Sequence, residues 1–223
     1  MGSMMSSLPV RIGVSSCLLG DAVRYDGGHK KNAFLVDGLG AHVEWIPVCP
    51  EIDCGMGVPR EPVRLVASGS ESEEDPESGG DLRMVGVDSG TDWTLRMKAS
   101  VKTRLGALSR LELSGYVLKS RSPSCGKEGV PVFPAPEVSG AGVGGTPSGA
   151  GLFAAELVRC FPLLPVEDEA RLGDRAARRH FLRRVFSYYR RLLSRSGASA
   201  ERLDEICCEQ DQALESLTNN NSL

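Results

Sequence analysis

Three short apolar runs in the sequence each end in a turn rich in Gly, Pro or Ser, and each turn carries a cysteine. The runs precede Cys17 in VSSCLLG, Cys49 in IPVCPE and Cys125 in KSRSPSCG. Between the second and third runs, apolar residues from Trp93 to Leu108 recur at helical spacing. Alternating strands and helices favour a mostly parallel sheet. Ligands of such sheets bind beyond the carboxyl ends of the strands, so we expect the three thiols to meet there.

This alternation predicts an α/β fold with a mostly parallel sheet flanked by helices and an appended C-terminal α-helical hairpin. The predicted strands span 10–14, 43–48, 63–66, 82–87 and 115–118. The predicted helices span 29–39, 91–108 with Thr91 as N-cap, 153–161 and two stretches beyond Arg171. The expected divisions are an α/β domain over 10–165, a helical extension over 166–223, an acidic flexible loop over 68–81 and a Gly- and Pro-rich loop over 134–151.

Composition and charge narrow the class of protein. A net charge of −3 at pH 7 and a pI of about 5.7 give no overall attraction to nucleic acid or to an anionic membrane. No apolar run approaches the roughly 20 residues that cross a bilayer. Seven cysteines, an odd number, and the lack of a secretory signal argue against a disulfide framework. We therefore expect a cytoplasmic protein without a membrane or nucleic-acid partner, in which clustered thiols bind metal or act in catalysis.

Polar residues beside the cysteines supply groups that catalysis needs. Glu51 follows Cys49 by two residues and can act as a general base or acid when it is partly desolvated. Ser122 and Ser124 place two hydroxyls beside Cys125. Together these neighbours favour a reaction site over a purely structural metal site.

The spacing of the cysteines along the sequence restricts the kind of metal site, but an iron–sulfur cluster and a zinc site both stay open. The sequence has neither the CxxC pairs of zinc ribbons nor a CxxxCxxC run. Three dispersed thiolates suit an iron–sulfur cluster or a zinc site with three cysteines. An open iron can bind a soft substrate atom as a Lewis acid. Cys54 lies near Cys49, but its surroundings are typical of loop packing, and we do not expect it to be a fourth ligand.

Four groups of motifs give the chain a specific resemblance. VSSCLLG with VRYDG, PVCPE with GMGVPR, KSRSPSCG and FPLLPVEDE together resemble the thiouracil desulfidase family, whose members remove sulfur from thiolated uracil compounds. The resemblance implies a 4Fe–4S cluster held by Cys17, Cys49 and Cys125, with the fourth iron open. It implies that Glu51 is the catalytic acid/base and that one of the two serines before Cys125 assists it.

The resemblance also implies a reaction and a substrate class. The implied reaction is non-redox: water activated by Glu51 attacks a C=S carbon polarised by the open iron, and sulfur leaves as hydrogen sulfide. The implied substrates are thiouracil and 4-thiouridine monophosphate. The nucleotide is released when thiolated tRNA is degraded, so the implied role is in nucleotide salvage. Guanidinium and ammonium groups match phosphate oxygens. The candidate substrate contacts are Ser16, Arg24, Asp26, Lys30 and Arg60. A second copy of the chain, in a homodimer, stays open as a partner.

Two other functions stay open from the residues alone. One is a thionucleotide- or RNA-binding module with a structural metal site, in which the Arg-rich face of the C-terminal hairpin contacts phosphates. The other is a zinc hydrolase that uses Glu51 as its base. For the Arg-rich face itself, which is formed by Arg183, Arg184, Arg190 and Arg191, we expect a solvated surface.

Overall fold

The computed structural model of the chain describes residues 9–68, 82–134 and 146–219. Apart from Ser68, the predicted acidic loop over 68–81 lies outside these residues. The strands are β1 (Arg11–Ser15), β2 (Glu44–Val48), β3 (Val63–Ala67), β4 (Leu82–Gly86), β5 (Gly115–Leu118), β6 (Val130–Phe133), β7 (Thr146–Gly149) and β8 (Val166–Asp168). The α-helices are α1 (Pro50–Asp53), α2 (Thr94–Leu108), α3 (Leu152–Cys160), α4 (Arg175–Arg195) and α5 (Ala200–Asn219).

The first sheet holds four parallel strands in the order β2-β1-β5-β8. Its register pairs Ile12 of β1 with Trp45 of β2 on one side and with Gly115 of β5 on the other. The three strands that lead into the cysteine turns are therefore direct neighbours. Because they are parallel, their carboxyl ends lie at one edge of the sheet, as the sequence predicts.

Side chains that alternate along β5 separate two apolar cores on opposite faces of this sheet. Tyr116 and Leu118 pack with residues of α2 and α3 on one face. Val117 packs with residues of α4 and α5 on the other. A Cβ at Gly13 would overlap the Tyr116 ring, so glycine in β1 lets this large aromatic lie against the neighbouring strand. A parallel sheet covered on both faces is the arrangement expected for an α/β fold.

The C-terminal helices cover the second face of the first sheet. Phe181 and Val185 of α4 lie against Gly115, where an added Cβ would come within 2.7 Å of Val185. The Arg178 guanidinium lies 4.0 Å from the centre of the Phe34 ring, which links α4 to the segment after the Cys17 turn. The predicted fold class and its C-terminal helices are confirmed. The division at residue 166 stays a prediction, and β8, which begins there, belongs to the first sheet.

A second, mixed sheet was missing from the sequence prediction. Its strand order is β4-β3-β6-β7, with β3 parallel to β6 and the outer pairs antiparallel. β7 falls inside the stretch 134–151 that was predicted as a loop. Thr146 of β7 is typical of strands, but Pro147 and Gly149 belong to the residue types that are depleted in them. It forms a strand because its backbone pairs with β6, for example Thr146 with Val132.

The predicted helix over 29–39 is wrong in position and kind. A π-helical turn covers Phe34–Gly38 and a 3-10 turn covers Leu39–Ala41. The preceding backbone is extended toward the Cys17 turn, because Lys30 N donates to Cys17 O at 2.8 Å and Asn32 N donates to Leu18 O at 2.9 Å. These N–H groups therefore hold the first cysteine turn in place.

The predicted N-cap of the long helix is also wrong. The Thr91 carbonyl accepts the Gly86 N–H at 2.9 Å, which keeps Thr91 in a turn after β4. The α2 helix begins at Thr94, whose N–H donates to Asp92 Oδ1 at 2.8 Å. The N-cap residue is Trp93, which makes no side-chain capping bond, and the Asp92 carboxylate binds the first helical N–H instead. Among the described helices, none is both long and apolar enough to span a bilayer.

Candidate active site

A cavity of about 340 Å³ opens at the carboxyl edge of the first sheet. Its walls come from the turns after β1, β2 and β5, together with the segment that leads into β3. Cys17, Cys49 and Cys125 all line it. The structure thus brings together three thiols that are far apart in sequence, at the edge where ligands of parallel sheets bind.

The Cys17 thiol is buried in a 3-10 turn over Ser16–Leu18 that follows β1 directly. Burial, followed by the nearby Cys49 thiol, raises the pKa of Cys17 to about 11. The positive charges of Lys119 and Arg24 act in the opposite direction and lower this pKa. A thiol in such a place stays protonated near neutral pH until a metal displaces the proton.

The Cys49 thiol lies at the junction of β2 and the one-turn helix α1. Cys49 is the residue before Pro50, and proline suits the first position of a helix because its missing N–H is not needed there. Burial raises the pKa of the Cys49 thiol. Its Sγ lies 3.9 Å from the Val23 carbonyl oxygen in the loop after the Cys17 turn. The first two cysteine turns therefore contact each other.

The Cys125 loop is fixed by the beginning of α3. Phe153 N and Ala154 N donate to Ser124 O at 3.0 and 3.2 Å, so the helix N-terminus binds the loop backbone. A Cβ at Gly151 would overlap the Ser124 carbonyl carbon, so only glycine permits this approach. Burial raises the pKa of the Cys125 thiol strongly, while hydroxyl contacts from Ser15 and Ser124 lower it.

The donor set is of the type that iron–sulfur clusters use. Within the described ranges, no three side chains of His, Cys, Asp or Glu converge closely enough to hold one metal ion. A four-iron cluster spreads its cysteine ligands more widely than one zinc ion, whose Zn–S bonds are about 2.3 Å long. Three soft thiols lining one cavity match the ligands of such clusters. Their roles as ligands stay a prediction.

Cys54 lies outside the residues that line this cavity. Its thiol donates to the backbone carbonyl of Glu51 at 3.2 Å and packs in the core with Met56. Burial raises its pKa. These contacts agree with the expectation that Cys54 is not a fourth ligand.

The Glu51 carboxylate lies in the cavity and divides its two oxygens between different partners. The Ser124 hydroxyl donates to Oε1 at 2.7 Å, and Arg60 donates to Oε2 through Nε at 3.1 Å and also through Nη2. The Ser122 and Ser124 hydroxyls are 2.9 Å apart. Because the Ser124 hydrogen is given to Glu51, Ser122 is the donor in that second bond. A chain of hydroxyls therefore runs from Ser122 through Ser124 to the carboxylate.

Most of the predicted substrate contacts also line the cavity. Ser16, Arg24, Lys30 and Arg60 are among its lining residues. Asp26 is not: it accepts hydrogen bonds from Gly28 N at 3.0 Å and from Arg24 Nε at 3.4 Å, and so braces the turn that carries Arg24. The Gly28 N–H bond and the Arg24 guanidinium hold the pKa of Asp26 below its usual range.

One carboxylate near the cavity was not predicted as part of the site. Glu169, which follows β8, binds the Lys119 ammonium and accepts the Ser120 N–H at 2.6 Å. Lys119 and Ser120 both line the cavity. Glu169 thus supports the cavity wall through them. Glu169 is the last residue of the FPLLPVEDE motif, so the sequence did contain an indication of it. Its approach to Lys119 follows from the pairing of β8 with β5.

Fold and site together define a class: an α/β protein with a partly buried carboxylate and three thiols at the carboxyl edge of its parallel sheet. Residues 12–169 match the 2-thiouracil desulfurase family. The chain belongs to this family, and it is an enzyme of the desulfidase kind.

The chain is also similar to a bacterial protein and to a solved structure. An uncharacterized protein of Bacillus subtilis (strain 168), YbbK, is 35% identical over 136 residues, which are 58% of this chain and 83% of that protein. The solved structure of the 4Fe–4S-dependent thiouracil desulfidase TudS superposes with a TM-score of 0.53 at 30% identity. That match covers 73% of this chain and 93% of the solved one.

Proposed function

We propose that this chain is a 4Fe–4S-dependent desulfidase that removes sulfur from thiolated uracil compounds by hydrolysis. The main support is one observation: Glu51, bound by the Ser124 hydroxyl, shares a cavity with three thiols from neighbouring parallel strands. Membership of the 2-thiouracil desulfurase family and the likeness to TudS also support the proposal, because removal of sulfur from thiouracil is a reaction for which these thiols and this carboxylate are suited.

Cys17, Cys49 and Cys125 would hold the cluster. When bound, a cluster with one iron free of protein ligands supplies a Lewis acid that suits the soft sulfur of a thiocarbonyl group. The chain offers three thiols rather than four in this cavity, because Cys54 is turned to the core. A fourth cysteine ligand would close the position that this chemistry needs.

Glu51 is proposed as the group that takes a proton from the attacking water. The water oxygen bonds to the ring carbon, the C–S bond breaks, and both water protons end on sulfur as hydrogen sulfide. The product carries oxygen where the substrate carried sulfur. Because no oxidant or reductant is consumed, the reaction is a hydrolysis. Glu51 can return its proton to the departing sulfide, so one carboxyl group serves both halves of the reaction.

Ser124 is the serine proposed to assist Glu51. Its side chain is buried and its hydroxyl contacts Oε1, whereas Ser122 reaches the carboxylate only through Ser124. Ser122 Oγ also accepts the Cys125 N–H at 3.2 Å, so it helps to shape the loop that carries the thiol. Ser124 thus orients the catalytic carboxylate, and Ser122 orients Ser124.

The substrates proposed are thiouracil and the thiolated nucleotide 4-thiouridine monophosphate. Arg24 and Lys30 line the cavity and can bind a phosphate.

To test the function, thiouracil and the nucleotide are each incubated anaerobically with iron-loaded protein, and sulfide and the oxo product are measured. We expect one sulfide and one oxo product per substrate consumed. Binding of either compound with no sulfide would contradict the proposal and favour a binding module. The cytoplasmic location and the homodimer stay predictions.

A further inference from the structure

The Arg60 side chain is enclosed where it meets Glu51. Only 9% of the Arg60 side chain and 14% of the Glu51 side chain are exposed. Arg60 Nε donates to Glu51 Oε2 at 3.1 Å, and Nη2 donates to the same oxygen. A charged hydrogen bond between shielded groups is stronger and better aligned than one in water.

Backbone carbonyls hold the other side of the Arg60 guanidinium. Nη2 donates to Val23 O at 3.0 Å, and Nη1 donates to Gly57 O at 2.9 Å. Four of the five N–H groups of Arg60 therefore have partners within the described part of the chain. If Arg60 turned to a substrate phosphate, its bonds to these two carbonyls and to Glu51 Oε2 would be lost. This geometry disfavours the substrate contact that the sequence predicted for Arg60.

The backbone of Arg60 is anchored to the same wall of the cavity. Its N–H donates to Tyr25 O at 2.9 Å. Tyr25 and Val23 belong to the loop after the Cys17 turn, whereas Glu51 follows Cys49. Arg60 thus joins two cavity loops and places its rigid guanidinium fork between them.

Glu51 needs an external partner to stay in one orientation. Its side chain has several rotatable bonds, and ordering them costs conformational entropy. With Oε2 bound to Arg60, the carboxylate plane is set and Oε1 is directed to Ser124. Neither oxygen can exchange places with the other without breaking both contacts.

We propose that Arg60 is a positioning residue for Glu51, and that it is not a substrate contact. The inference rests on the proposed function of Glu51 as the acid/base. Arg60 acts on the reaction only through the carboxylate that it holds. Its removal should therefore lower kcat, because Glu51 samples other orientations, and should leave KM nearly unchanged.

The first test is Arg60→Ala, assayed for sulfide release from thiouracil with iron content and visible absorption measured on the same sample. We expect kcat to fall about 100-fold, as for a catalytic group displaced by about 1 Å. KM, iron content and absorption should stay close to those of the wild type. Addition of free guanidinium ion should restore part of kcat. The matched control is Arg83→Ala, which breaks an Arg–Asp pair on the second sheet and should not change kcat.

Arg60→Lys keeps the inference testable if Arg60→Ala does not fold. One ammonium group cannot contact Glu51, Val23 and Gly57 together, so we expect a low kcat with an unchanged KM. Full kcat in Arg60→Lys, or a raised KM with unchanged kcat in either variant, would overturn the positioning role. If the wild type releases no sulfide, the proposed function fails instead, and the two failures are thereby distinguished.

Discussion

Glu51→Gln should lower the rate of sulfide release from thiouracil by at least about 100-fold, since general acid–base catalysis contributes about 10²–10⁴-fold. The amide has nearly the shape of the carboxylate and can still accept a hydrogen bond from Ser124, so the cavity should be preserved. It cannot take a proton from water. Iron content and visible absorption should therefore match the wild type while turnover is lost.

The control for this loss is Glu156→Gln, the same change at an exposed carboxylate on α3 that pairs with Arg159. It should leave turnover unchanged. Steady-state rates of sulfide release for the wild type and the two variants make the comparison. Glu51→Gln with wild-type turnover would show that another group handles the proton, and the assignment of Glu51 would be wrong.

Cys125→Ala should abolish both iron binding and turnover. Cys125 is buried in the loop bound by the N-terminus of α3, and its removal leaves two of the three proposed ligands. When prepared anaerobically, the variant should lack both the visible absorption and the iron of the wild type, which is about four atoms per chain for a 4Fe–4S cluster. Iron and acid-labile sulfide assays on the purified variant measure this loss.

Cys54→Ala is the matched comparison, because Cys54 is also a buried thiol near the site but points into the core. It should keep its iron and lose only about 1 kcal/mol of unfolding free energy through lost packing. If Cys54→Ala lost iron as Cys125→Ala does, Cys54 would be a ligand. The open iron position required by the proposed reaction would then be in doubt.

The sequence predicted that the three cysteine turns lie together, because their position depends on strand ends. Cys17, Cys49 and Cys125 each follow a strand of one parallel sheet, and residues at strand ends meet once the strands pair. Glu51 and Ser124 lie within two residues of these cysteines and are carried along with them. Local patterns and one topological rule were sufficient for this part of the molecule.

The contacts that the sequence could not predict are made by loops that fold back on the site. The Arg60 guanidinium contacts Glu51 and the carbonyls of Val23 and Gly57, and no local pattern in the sequence indicates these contacts. The helix predicted over 29–39 does not form at its start, because the backbone there makes hydrogen bonds to the Cys17 turn. The strand β7 contains Pro147 and Gly149, which disfavour strands, and it is held by its pairing with β6. In each case a tertiary contact outweighs the local preference.

The most direct test of the central claim is sulfide release by the same protein loaded with iron–sulfur cluster or with zinc. Each form is prepared anaerobically, its metal content is measured, and thiouracil and 4-thiouridine monophosphate are supplied as substrates. The account predicts a coloured, iron-loaded protein that converts at least one of them to the oxo product and sulfide, and a zinc-loaded protein that is inactive. Turnover by the zinc form at the rate of the iron form, or an iron-loaded protein that releases no sulfide, would contradict it.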